Sequence, residues 1–164
     1  MQTTAITMNN FIAIEAAFKK MMGALAELRA LGVITNKKDF TCQLSEWLVA
    51  ILYDGTRAAS GIQKHWDIEA NGKRLQVKAH AKAETTSARW SPIKYNEDAE
   101  IDELVIVVFT QDYKLKEFYK LAWRDALPLI KRQENRHVIY WNHLKDFQIG
   151  IDRLPKQELV TLFK

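Results

Sequence analysis

Residues 65 to 80 read His-Trp-Asp-Ile-Glu-Ala-Asn-Gly-Lys-Arg-Leu-Gln-Val-Lys-Ala-His, and the Asn71-Gly72 pair at their centre constrains the fold more than any other feature. A two-residue type I′ turn needs positive φ at both positions, which Asn and Gly supply at least cost. The turn sets a register: Ala70 opposite Lys73, Glu69 opposite Arg74, Ile68 opposite Leu75, Asp67 opposite Gln76, Trp66 opposite Val77 and His65 opposite Lys78. Side chains alternate between the two faces of a strand. Trp66, Ile68, Leu75 and Val77 therefore share an apolar face that must meet a core. His65, Asp67, Glu69, Arg74, Gln76, Lys78 and His80 share the other face, expected to look towards solvent. Glu69 and Arg74 read as a cross-strand ion pair. Asp67 is less ordinary, because Asp is depleted in strand interiors.

Asp67 followed by Gln76-Val77-Lys78 resembles the active-site signature of the PD-(D/E)XK nuclease superfamily, the restriction-endonuclease-like fold, in the variant with Gln in place of the second acid. The resemblance spans roughly residues 40 to 110 in order of elements, and a handful of positions carry it. It implies that Asp67, the Gln76 oxygen and a helix carboxylate, Glu46, hold Mg²⁺ or Mn²⁺. Lys78 would position or help deprotonate a water. A hard cation with oxygen ligands and several retained waters suits such a set.

A chain of 164 residues, 48% hydrophobic and 27% charged, is most simply one soluble domain with its own core. No apolar run approaches the roughly 20 residues that a membrane helix needs. The first ten residues lack a basic segment followed by an apolar one, so a cytoplasmic protein is expected. Cys42 is the single cysteine, which excludes an internal disulfide and a cysteine-cluster zinc site. The net charge is +4, and its distribution says more than its sum. Arg57, Lys64, Lys73, Arg74, Lys78, Lys82, Arg89 and Lys94 crowd the hairpin region, and the acidic run Glu97, Asp98, Glu100, Asp102 and Glu103 follows, expected as a solvated turn. Such a cationic surface suits a phosphate backbone. His65, His80, Lys82, Arg89 and Lys94 are the candidate DNA contacts.

Helical spacing of Phe11, Ile14, Ala17, Phe18, Met21, Met22, Leu25 and Leu28 predicts a first helix from Asn9 or Asn10 to Leu31, capped by Gly32. Residues 1–34 thus form a helical extension, the element nominated for a possible homodimer interface. A second helix is predicted over Lys37 to Tyr53, with Asn36 as N-cap. It is apolar almost all round, so Glu46 within it either marks an exposed strip or needs a partner. The stretch from Ala79 to Lys94 reads as a polar loop. Leu104 to Phe109 reads as a strand buried on both faces, Leu115 to Ala122 and Arg136 to Trp141 as further strands, and Arg124 to Lys131 and Lys156 to Phe163 as short helices.

The order of elements predicts an α/β fold, a central mixed sheet flanked by helices, built on a restriction-endonuclease-like core. The function expected from the resemblance is a metal-dependent DNA endonuclease of a restriction, defence or mobile-element system. The alternative is a module on the same fold that binds nucleic acid, or docks a partner, without cleaving.

Overall fold

The Asn71-Gly72 turn forms as expected, with φ of 53° and 72°, and pairs β2 (Ile68–Ala70) with β3 (Lys73–His80) in the predicted register from Ala70↔Lys73 to Ile68↔Leu75. The computed structural model describes residues 8–36, 38–59, 65–81, 87–94 and 98–164. Residues 1–37 and 38–164 form separate compact units.

The first unit contains α1 (Met8–Ala30). Gly32 ends it at φ 74°, with Val33 N donating to Leu28 O and Gly32 N to Arg29 O, the paired bonds of a Schellman cap. Phe11, Ile14, Phe18 and Met21 follow one another at intervals of three and four residues. All are exposed, Phe18 by 57%.

The second unit is an α/β fold with a mixed five-stranded sheet, a smaller three-stranded sheet and flanking helices. Helix α2 (Phe40–Leu52) begins later than predicted, because Asp39 rather than Asn36 caps it and accepts from Cys42 N at 3.0 Å. After β1 (Thr56–Arg57), the five-stranded sheet runs β1-β2-β3-β5-β6, with β5 (Glu103–Phe109) parallel to β3 and β6 (Leu115–Ala122) antiparallel to β5. Every residue of β5 is buried, as its unbroken apolar run requires. The small sheet, in the order β4-β8-β7, joins β4 (Trp90–Ile93), β8 (Arg136–Tyr140) and β7 (Ile130–Gln133). Helix α3 (Trp123–Ala126) stops before Pro128, and α4 (Gln157–Val160) lies near the C-terminus.

β3 is a central strand, not half of a hairpin open to water. Val77, level with Val105, lies on the face of the sheet that carries Val107 and Phe118, where Tyr53 at the end of α2 meets Phe118. Gln76, Lys78 and His80 stand level with Leu104, Ile106 and Val108. Those three belong to the core shared with Ile93, Ile139 and Trp141 of the small-sheet region. The polar face expected to look outward is thus largely covered, and Gln76 is only 4% exposed. No described helix is long and apolar enough to cross a membrane.

Candidate functional site

β2 begins only at Ile68, while its partner β3 continues past Leu75 to His80. From Gln76 onward β3 has no strand partner on that side among the described residues, and there the one-to-one register expected for Asp67, Trp66 and His65 stops. Asp67 N donates to Leu75 O at 2.8 Å, one residue out of step with the Ile68↔Leu75 pair. The Asp67 side chain then does a backbone carbonyl's work, its Oδ2 accepting from Val77 N at 2.8 Å. Asp67 therefore stands not inside a strand, where it was expected, but just before β2, where its short carboxylate reaches a ladder position that the main chain has left.

The open edge lets groups from both faces of the sheet meet. A cleft of about 370 Å³ forms there, lined by Lys38, Glu46, Asp67, Gln76, Lys78 and Lys94 among others. Lys38 Nζ lies 2.6 Å from Glu46 Oε1 and 3.0 Å from Asp67 Oδ1, so one ammonium joins carboxylates from two elements. Glu46 is buried and aimed at Asp67's partner, and the reading of it as an exposed strip is overturned. Burial raises the Glu46 pKa, opposed by the Lys38 hydrogen bond. Burial works against the Lys38 ammonium too, but the hydrogen bonds and charges of Glu46 and Asp67 outweigh it and hold its pKa above the ordinary lysine value. The difference follows exposure: the Glu46 side chain is 7% exposed and that of Lys38 46%.

Gln76 Nε2 donates to His65 O at 3.1 Å, which orients the amide. Its Oε1 is buried and has no hydrogen-bond partner within the protein, as is also true of Gln133 Oε1. A buried acceptor left unmade costs about 1–3 kcal/mol, so this oxygen has capacity for a partner in the cleft. Lys78 is pushed below the ordinary lysine pKa by burial, partly offset by the charge of Asp67. Cys42 also lines the cleft, but burial pushes its thiol up to about 12, so it stays protonated.

The residues proposed as DNA contacts divide. His65, His80 and Lys94 line the cleft. His80 is held near pKa 4 by burial and by Lys78, so at neutral pH it offers a hydrogen bond and no charge. Its Nε2 is 2.9 Å from Ser91 Oγ, which also accepts from Trp141 Nε1 at 2.9 Å. Ser91 is fully buried, and its hydroxyl proton is best placed on His80 Nε2, which makes the neutral Nδ1–H tautomer. Arg89 is absent from the cleft lining: its guanidinium binds Glu117 at 2.6 Å and lies over the Trp141 ring. Lys82 and Lys64 lie outside the described residues.

Much of the basic cluster is neutralised internally. Arg74 binds Glu100, not Glu69, and Glu103 accepts from Lys73 at 2.7 Å and Lys120 at 2.5 Å. The acidic run is a solvated turn only in part: Asp98, Glu100 and Asp102 are exposed, whereas Glu103 is buried in β5, Asp102 accepts from Arg74 N, and Glu97 lies outside the described residues. Sequence reasoning missed Lys38, which no motif marks. Among the described residues, no three His, Cys, Asp or Glu side chains gather as a ligand set. The oxygen donors on offer are two carboxylates and one amide.

No protein-family model matches the chain, and no curated protein matches it in sequence.

Proposed function

We propose that the chain is a metal-dependent endonuclease that hydrolyses phosphodiester bonds in DNA. The observation that carries this reading is the buried, unpartnered Gln76 Oε1 in the same cleft as Glu46, Asp67 and Lys78. The donor set fits a hard divalent cation that keeps several waters: Asp67, Glu46 and the Gln76 oxygen would hold Mg²⁺ or Mn²⁺. When bound, the ion would polarise the scissile phosphate and acidify a water.

The protein's own groups have distinct tasks. Val77 N fixes one Asp67 oxygen and leaves the other facing the cleft. Lys78, whose charged form is disfavoured by burial, can hold or release a proton at Nζ and meet charge developing on phosphate. Lys94 at the cleft rim supplies phosphate attraction. Beside it, the small sheet carries Arg136 of β8 stacked over Trp90 of β4, with Lys131 on the neighbouring strand β7. Aromatic and cationic groups of this kind suit a nucleic-acid strand.

The test compares wild type, Asp67→Asn and Lys78→Met on supercoiled, linear, single-stranded and branched DNA with Mg²⁺ or Mn²⁺. Asn is chosen because Ala would strand the Val77 N–H and Lys38. Both substitutions are expected to abolish divalent-dependent cleavage while DNA binding survives. Lys78→Met should also raise the melting temperature at neutral pH by roughly 2–4 °C per kcal/mol of removed desolvation penalty. Wild-type protein that binds DNA and cleaves none of the four substrates would move the conclusion to a binding module.

A further inference from the structure

Lys38 stands just before the α2 cap, and Gln43 Nε2 donates to its carbonyl at 2.7 Å. That bond folds residue 38 back against the first turn of α2, so its side chain can run along the helix to Glu46. Its ammonium then sits between Glu46 and Asp67. A cation between two carboxylates, in the same cleft as a buried oxygen without a partner, is what a divalent ion would also require. The two cannot share the place, because like charges a few ångströms apart repel strongly at low dielectric. Their means of leaving differ. Glu46 is buried on α2 and Asp67 is tied to Val77 N, whereas the Lys38 side chain is about half exposed and has an open way to water.

We propose that Lys38 is a displaceable internal cation, occupying the position between Glu46 and Asp67 in the metal-free protein and yielding it to a divalent ion. This rests on the metal-site reading above. Lys38 keeps two carboxylates from facing each other uncompensated, which stabilises the metal-free chain, and the same contact weakens metal binding because it must be broken first. Metal affinity is therefore set by a residue that need not be a ligand. A coupling of this kind is typically worth 5- to 150-fold in affinity.

The experiment titrates Mn²⁺ into the full chain, reading free Mn²⁺ by electron paramagnetic resonance and melting temperature in parallel. Wild type, Lys38→Met, Lys38→Gln and Asp67→Asn are compared. Both Lys38 variants are expected to bind Mn²⁺ at least tenfold more tightly than wild type. They should melt lower without metal and regain the difference at saturating Mn²⁺. Lys38→Gln keeps the measurement possible if Lys38→Met fails to fold without metal. Asp67→Asn should lose most of the affinity. If wild type binds, Asp67→Asn does not, and the Lys38 variants bind no more tightly than wild type, displacement is overturned and the metal site stands. If neither wild type nor the Lys38 variants bind Mn²⁺, or if Asp67→Asn binds as wild type does, both readings fall.

Discussion

At the scale of single residues, His80 is the group whose titration should be visible in the whole protein. Burial and Lys78 hold it near pKa 4, against an ordinary value of 6.5. Its folded pKa is depressed, so the unfolded chain takes up the proton first as pH falls. Stability attributable to neutral His80 is complete above about pH 6.5 and is lost towards pH 4. Between pH 7 and 5 the loss is on the order of 2 kcal/mol. Glu103 and Glu117, whose pKa values are lowered from 4.5, keep their stabilising charge throughout that window. Glu46, raised by burial, acts in the opposite sense. His80→Gln, which can still reach Ser91, should therefore melt with a flatter pH profile from 7 to 5, and superimposable profiles would contradict the assignment. That Asp67, Gln76 and Lys78 meet in one cleft was legible from their places near the turn, although the register expected to set Asp67 opposite Gln76 is not kept. The break in register at Asp67 was not legible, since it depends on where β2 loses its partner. Nor was Lys38, whose role exists only once α2 and the Asp67 segment are brought side by side.

At the scale of elements, Gly55 decides whether α2 and β2 can lie as close as the site needs. A Cβ at this position would fall 2.8 Å from Ala70 Cβ and Ile68 Cγ2 and 2.9 Å from Glu69 O. Backbone cannot yield cheaply at such distances. Gly55→Ala should cost about 1–3 kcal/mol as overpacking. Because β2 leads directly from Asp67, it should also disturb the Glu46–Lys38–Asp67 contact. Thermal melts and Mn²⁺ titration of this variant check both effects. The long apolar helices, the hairpin and the buried β5 strand were readable from period and turn chemistry. β4 was not: Pro92 and buried Ser91 break its pattern, and Pro is tolerated because β4 is an edge strand. β7 was hidden in a predicted helix, where Pro128 ends α3 and Ile130 starts a strand.

At the scale of the whole molecule, α1 raises the question of assembly. Phe11, Ile14, Phe18, Met21, Leu25 and Leu28 alternate three and four residues apart, the seam that two helices share in a coiled coil. The first four are exposed. Sedimentation of the full chain is expected to report a dimer, and Phe18→Glu with Met21→Glu a monomer whose Mn²⁺ titration is unchanged. A monomeric wild type would refute this. Among the described residues, the outermost strands of the two sheets are each guarded, and the edge of β3 left open beyond Leu75 is occupied in part by the Asp67 side chain. β1 has two residues, and β4 carries Pro92. β7 displays Lys131 and Arg132, and β6 is covered where Gln148 bridges Tyr119 and Ile149 N donates to Phe118 O. A short strand, a proline, charge and a covering segment are each known guards against strand addition. A partly unfolded chain that lost the 147–149 segment would uncover an eight-residue strand, β6, as a template for aggregation. The chain after β8 thus protects the protein from itself as well as completing its core.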